Sequence, residues 1–406
     1  MNDQIGEQHT WTEAGRALLP EMVALRRSIH EEPELGLRTP ATAARIKLAL
    51  AGLPLEFREG PSTSGFVARL AGPTNGRTVL LRADMDALPV REDTGLPFSS
   101  RSQGAMHACG HDAHVAMLAG AAKALCANRE RLAGSVLFMF QPGEEGHHGA
   151  RFMLDDGLLD PLPDAAFALH VWPNFPGGVV AGRTGPLLAA ADRLLITITG
   201  KGGHASQPHL TVDPVPVACE IVGAIQALVT RRIPAFDPVV ITIARIEAGT
   251  TNNVIPETAE LEGTIRSFSE ESRRLAHDGL RRIAENIAAA HTAAAALEII
   301  PGFPVTVCDG RAVALARDTA RRLFGEEGWE TIRNPVMGAE DFSYVLRKVP
   351  GAMLFLGAVP EGGDPATCCG LHSNRMMLDE SVMARGAAMH CAIAERFLGE
   401  GFGAEA

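Results

Sequence analysis

Cys109 and His111 stand two residues apart in the run Met106-His107-Ala108-Cys109-Gly110-His111-Asp112, and adjacent carboxylates, Glu144 and Glu145, follow Gln141-Pro142-Gly143. Thiolate, imidazole and carboxylate are the ligand types that a borderline cation such as zinc accepts, and a second glutamate beside a ligand glutamate offers a base for water. The grouping points to metal-dependent hydrolysis. Outside a helix, neighbouring side chains point different ways, so one carboxylate of the pair can hold metal while the other faces water. His170 closes the apolar run that begins at Ala165, where a buried imidazole without a partner is costly and a metal would supply one. Of the two histidines at the start of the next expected helix, His111 is assigned to metal and His114 to structure. Asp84, Asp86 and Asp112 are expected to hold ligand imidazoles in one tautomer. His372, in Gly-Leu-His-Ser-Asn, means little by itself.

Positioning these groups requires strands that end near one another. Helical spacing of apolar residues runs over 12–30 and 40–51, then strand-like runs appear at 65–70 and 78–83, a helix at 112–127, and strands at 135–140 and 165–171. Such alternation predicts an α/β domain with a mixed, largely parallel sheet. Asp84, Asp86, Glu144, Glu145 and His170 all fall at or just after strand ends, where ligands collect in open α/β sheets. After about residue 185 the texture changes. β-branched runs at 193–200 and 239–246, with helices over 215–231 and 270–290, predict an inserted α+β domain of residues 187–302. Residues 1–186 and 303–406 then form a discontinuous catalytic domain, with further helices at 312–324 and 381–397.

Composition narrows the class. A chain of 406 residues exceeds the size at which one hydrophobic core stops growing, and 46% hydrophobic with 21% charged residues is the balance of a folded globular protein. The net charge of -11, with no long basic run, argues against a nucleic-acid partner. The N-terminal residues have neither a basic start nor an apolar stretch, and no run approaches about 18 uninterrupted apolar residues, so no membrane partner is expected and cytoplasmic residence is. Seven cysteines in no pattern fit a reducing compartment. Cys126, Cys219 and Cys391 read as small buried hydrophobes.

The ordered motifs His30-Glu31-Glu32-Pro33-Glu34-Leu35-Gly36, 81–89, 107–112, 142–146, 200–206, 250–256, 338–343 and 371–373 resemble the M20 metallopeptidases. The resemblance is to the amidohydrolase branch, with its hippurate hydrolases, N-acyl-amino-acid deacylases and auxin-conjugate hydrolases. It implies two divalent metal ions per subunit (Zn, Mn, Co or Ni), with Cys109, His111, Glu145, His170 and His372 as ligands and Glu144 as general acid/base. It also implies that residues 187–302 act as a lid and dimerisation domain in a homodimer, with His204 approaching the active site. The chain departs from the wider family in carrying Asp84 where a ligand histidine is usual, and Cys109 in place of a bridging aspartate. The expected substrate is a small N-acyl amino acid whose carboxylate meets Asn253 and Arg266. A dipeptidase or aminoacylase preferring a free amine, and a catalytically silent metal-binding homologue, are the alternatives; Glu144 argues against the silent one.

Overall fold

The run Gly134–Gln141 is a strand buried at every position, as an unbroken apolar run requires when a sheet is covered on both faces. The computed structural model describes residues 2–403. In chain order the elements begin α1 (Asn2–His30), α2 (Pro40–Ala49), β1 (Glu56–Glu59), β2 (Phe66–Ala71), β3 (Arg77–Asp84), α3 (His111–Ala127), β4 (Gly134–Gln141), α4 (Gly149–Asp155), β5 (Ala165–Trp172) and β6 (Val180–Gly182). There follow β7 (Gly185–Leu188), β8 (Ala190–Thr199), β9 (Gly203–His204), α5 (Pro214–Arg232), β10 (Val239–Ala248), β11 (Val254–Ile255), β12 (Thr258–Ser267), α6 (Glu270–Ala290) and β13 (Ala294–Pro301). The chain ends with β14 (Thr306–Cys308), α7 (Gly310–Phe324), β15 (Trp329–Thr331), α8 (Ser343–Leu346), β16 (Gly351–Gly357) and α9 (Met383–Glu400).

Contacts divide the chain into two units. The first holds the residues up to Leu187, Val307–Asn334 and those from Asp341 onward; the second holds Leu188–Thr306 and Pro335–Glu340. In the first unit an eight-stranded sheet runs β1-β2-β4-β3-β5-β16-β6-β15. Its central strands β4, β3, β5 and β16 are all parallel, and antiparallel pairing at β1–β2, β2–β4 and β16–β6 makes the sheet mixed. Helices α3 and α9 lie against the central strands, and α1 packs on both. The helix expected from residue 12 starts at Asn2 and carries Pro20 without ending.

In the second unit the antiparallel sheet β10-β12-β8-β13 packs Leu194, Ile196, Leu261 and Ile265 against Ile221 and Ile225 of α5 and Leu280 and Ala284 of α6. Strand β13 was not expected, because its alanine-rich start carries little β preference; pairing along its whole length with residues 192–199 of β8 supplies what propensity lacks. Strand β16 was missed as well, a short apolar run that periodicity cannot separate from helix. By length and composition alone α5 could cross a membrane, yet Val217, Ala218, Ile221, Ile225 and Leu228 on one of its faces are buried in this unit. Cys219, expected inside, is exposed; it falls on the outward face of that amphipathic helix.

Helices α1 and α9 approach closely at Gly15, where an added Cβ would stand 2.2 Å from the Ala384 carbonyl oxygen. Backbone cannot yield as a side chain can, so Gly15→Ala is expected to cost about 1–3 kcal/mol. Gly223→Ala in α5, where the space is open, should instead gain a few tenths to about 1 kcal/mol from helix propensity. Urea unfolding of both variants checks the opposite signs.

Candidate metal centre

Because β3, β4 and β5 run parallel, the ends that carry Asp84, Gln141 and His170 lie along one edge of the sheet. Gly110 caps α3 in the left-handed region at φ 81. A Cβ there would meet Val171 Cγ2 at 2.5 Å, so glycine is what lets the chain turn between Cys109 and His111. His372 is also left-handed, at φ 65, and its N–H donates to the Ala108 carbonyl at 2.8 Å. A non-glycine residue in that conformation costs of order 1 kcal/mol or more; here it brings the imidazole to Cys109 and Glu145.

Three overlapping groups of potential ligand atoms result, each with its members within 4.8 Å of one another: Cys109, His111 and His170; Cys109, Glu145 and His372; and His111, Glu144 and Glu145. Cys109 Sγ lies 3.5 Å from His170 Nε2, and His372 Nε2 lies 3.2 Å from Glu145 Oε1. The five residues expected as ligands and Glu144 thus form one cluster, with Cys109 common to two groups.

Hydrogen bonds set the imidazole tautomers. His111 Nδ1 sits 2.8 Å from the Asp86 carbonyl oxygen, and His170 Nδ1 sits 2.7 Å from that of Val171. A carbonyl oxygen only accepts, so each Nδ1 carries the hydrogen and each Nε2 turns a lone pair to the cluster. His111 Nε2 is buried without a hydrogen-bond partner and lies 4.0 Å from Glu145 Oε1, a cost that a cation between them removes. The donor set therefore fits a divalent metal. His114 differs: the Val171 N–H donates to its Nε2 at 2.8 Å and its Nδ1 donates to Asp84 Oδ1 at 2.5 Å. Both nitrogens are occupied, and Arg82 takes the other Asp84 oxygen at 2.6 Å, so the nearby Asp84–His111–His114 grouping has few lone pairs to offer.

Charge in the cluster calls for positive partners. His372 is raised to about 10 by its hydrogen bonds to Cys109 and Glu145. Burial depresses His111, but Asp84 and Cys109 outweigh it and hold the imidazole well above its usual range. Burial, then the neighbouring His114, hold His170 well below it, and burial raises the Cys109 thiol. Protons and a divalent cation compete for these lone pairs.

The aspartates divide their work. Asp86 accepts the backbone N–H groups of Glu144 and Glu145 at 3.0 and 3.1 Å, fixing the loop that carries both carboxylates. Asp112, expected to orient a ligand imidazole, does not. One residue along α3 from His111, and so about 100° round the helix, it accepts from His30 Nδ1 at 2.8 Å and pairs with Arg26 at 3.0 Å. Unassigned from sequence was Arg82, buried on β3, which donates to Gln141 at 2.8 Å, Asp84 at 2.6 Å and Asp341 at 3.1 Å. Asp341 also accepts from Gln141 and from the Ala150 N–H at 2.7 and 2.9 Å. A lone arginine in the apolar run 79–83 was the available signal.

His204, Asn253 and Arg266 belong to the second unit. Strand β9 pairs with β11 so that His204 faces Val254, and the Ala205 N–H donates to the Asn253 carbonyl at 3.1 Å. The Ser206 N–H donates to His204 Nδ1 at 3.1 Å, so Nε2 carries a hydrogen and is a donor. Arg266 stands near the far end of β12, roughly 25 Å along the strand from its start at Thr258. Half-buried, its guanidinium is held below its ordinary range by burial. His204 and Asn253 are neighbours; Arg266 is not among them.

A mixed α/β sheet whose strand ends gather thiolate, imidazole and carboxylate donors fits a metal-dependent hydrolase. The profile of peptidase family M20/M25/M40 matches residues 80–396, and the chain belongs to that family. It is similar to thermostable carboxypeptidase 1 of Saccharolobus solfataricus, 38% identical over 93% of this chain and 95% of that protein. It is also similar to N-acetylcysteine deacetylase of Bacillus subtilis, 39% identical over 85% of this chain and 90% of that one. Among solved structures, the Bacillus subtilis YXEP protein, described as a dinuclear metal binding peptidase from the M20 family, superposes with a TM-score of 0.82. It is 34% identical, over 94% of this chain and 99% of that one.

Burial alone would lower His30, but Asp112 and then Glu92 outweigh it and raise the imidazole to about 9. With the folded value above the unfolded value of about 6.5, the stabilisation is complete below about pH 6.5 and lost as pH rises through about 9. Stability should fall over that window, and His30→Gln should remove that part of the fall, as read from urea midpoints across pH.

Proposed function

We propose that this chain is a metal-dependent amidohydrolase that cleaves N-acyl amino acids to a carboxylic acid and a free amino acid. The observation that carries the reading is the cluster in which His111 and His170 both present Nε2 to Cys109 and Glu145, with Glu144 beside them. Cys109, His111, Glu145, His170 and His372 would hold two divalent ions, of zinc, manganese, cobalt or nickel. Such ions supply a Lewis acid for the amide carbonyl and make water a better acid.

The chain's own groups do the rest. Asp86 holds the Glu144 backbone, so that the Glu144 carboxylate takes a proton from the attacking water and returns it to the leaving nitrogen. The His204 Nε2–H donates to the oxyanion that develops on the carbonyl oxygen. Asn253, beside His204, and Arg266 receive the substrate carboxylate, and a guanidinium fork suits it. The loop of His204 and Asn253 and the position of Arg266 lie at opposite ends of the second unit's sheet. A small substrate touched by both would draw them from two copies, so a homodimer with residues 187–302 as lid and interface is part of the proposal. Cytoplasmic residence is part of it as well, supported by the odd number of cysteines.

Peptide substrates are the second reading, favoured by the carboxypeptidase relative. The C-terminal bond of a short peptide presents the same amide and carboxylate, and the acyl side alone distinguishes the two.

Release of amino acid from benzoyl-, acetyl- and aminoacyl-amino acids by metal-loaded protein tests the reaction class. Glu144→Gln should lower kcat about 10²–10⁴-fold with metal content unchanged by elemental analysis; retained turnover would end the general-base assignment. Arg266→Ala should raise KM by about 10-fold or more, and an unchanged KM would remove Arg266 from the carboxylate site.

A further inference from the structure

A cavity of about 570 Å³ in the first unit, bordered by α1, α7 and α9, contains none of the residues of the metal centre. Three arginines line it: Arg16, Arg322 and Arg385. Several arginines of this acidic chain meet carboxylates, as Arg26 and Arg27 meet Glu380 and Arg131 meets Glu395. Among the described residues, none of these three has a carboxylate partner. Arg385 donates to the Gly178 carbonyl at 2.8 Å and lies over the Phe324 ring at 4.7 Å, which sets its direction without neutralising it. Asp379 is the one acid on the wall, and its two oxygens accept from the Ser381 N–H and hydroxyl at 2.8 Å each.

The cavity wall thus carries an uncompensated excess of positive charge in a chain whose net charge is -11. Like charges converge only at a coulombic cost, and burial followed by the nearby Arg16 holds Arg385 below the ordinary guanidinium value. The first turn of the 18-residue helix α9 also borders the cavity, and the positive end of its dipole adds to the field. Guanidinium forks match the oxygens of carboxylates and phosphates. A volume within the range of small-molecule sites, with Leu19, Leu323 and Phe324 supplying apolar wall, suits an organic anion better than a bare ion.

We propose that this cavity is a second ligand site, separate from the metal centre, that takes a small organic dianion, either a dicarboxylate or a phosphate ester. Titration calorimetry of the metal-loaded protein with succinate and with glycerol 3-phosphate tests it, and the anion that binds identifies the source of the oxygens. Arg16→Ala/Arg322→Ala should weaken binding at least tenfold, while hydrolytic activity and melting temperature stay at wild-type values, since both side chains are exposed and unpaired with acids. Arg16→Lys/Arg322→Lys should bind more tightly than the double alanine variant and more weakly than wild type, keeping the charge without the fork. Equal affinity in wild type and the double alanine variant, or no binding of either anion up to about 10 mM, would overturn the proposal.

Discussion

Arg82 is a buried charge that has to be met from several directions at once. Its guanidinium reaches Gln141 at the end of β4, Asp84 at the end of its own strand and Asp341 on a distant loop. Removing any acid from such a node would leave a buried charge uncompensated, which is far more costly than the pair is worth as a source of stability. The node therefore acts chiefly as a constraint on geometry. Asp84 passes it to His114, His114 to the Val171 N–H beside His170, and Asp341 to the Ala150 N–H at the start of α4. Strands β3, β4 and β5 and the loop after β4 are thereby tied in the region where the candidate ligands lie.

Within that frame, backbone carbonyls decide what the imidazoles can do. Asp86 and Val171 take the Nδ1 hydrogens of His111 and His170, leaving both Nε2 lone pairs on the inner side. His114 has the same side chain and is buried as well, yet both its nitrogens are committed. Candidate ligand and scaffold histidines differ here by which backbone group is nearest. The second ionic network, Arg26, Asp112, His30 and Glu92, lies behind the start of α3 and neutralises itself internally. The arginine-lined cavity is the contrast: there the positive charges have no such closure.

Much of the centre was legible in the residues. A Cys-x-His run, an adjacent pair of glutamates and a histidine closing an apolar strand are each rare by chance, and their chemistry converges on one cation type. The alternation of strands and helices, and the change of texture near residue 185, carried the α/β architecture and its insertion, because the period of the apolar residues is a direct image of which faces are buried. Strands β13 and β16 escaped because pairing, which sequence does not display, stabilises them.

Residue types and local spacing by themselves determined the donor chemistry and the family, since both depend on which atoms are present and in what order. Tertiary structure alone decided the division of labour among like residues. Asp86 braces the glutamate loop while Asp112 serves His30, and Arg82 anchors the sheet edge, because these roles depend on direction and distance between segments far apart in the chain. His372 makes the point most simply: the resemblance alone proposed it as a ligand, and a left-handed backbone pinned to Ala108 is what brings its ring to Cys109 and Glu145. Long-range contact of that kind is a property of the folded packing, and no local pattern encodes it.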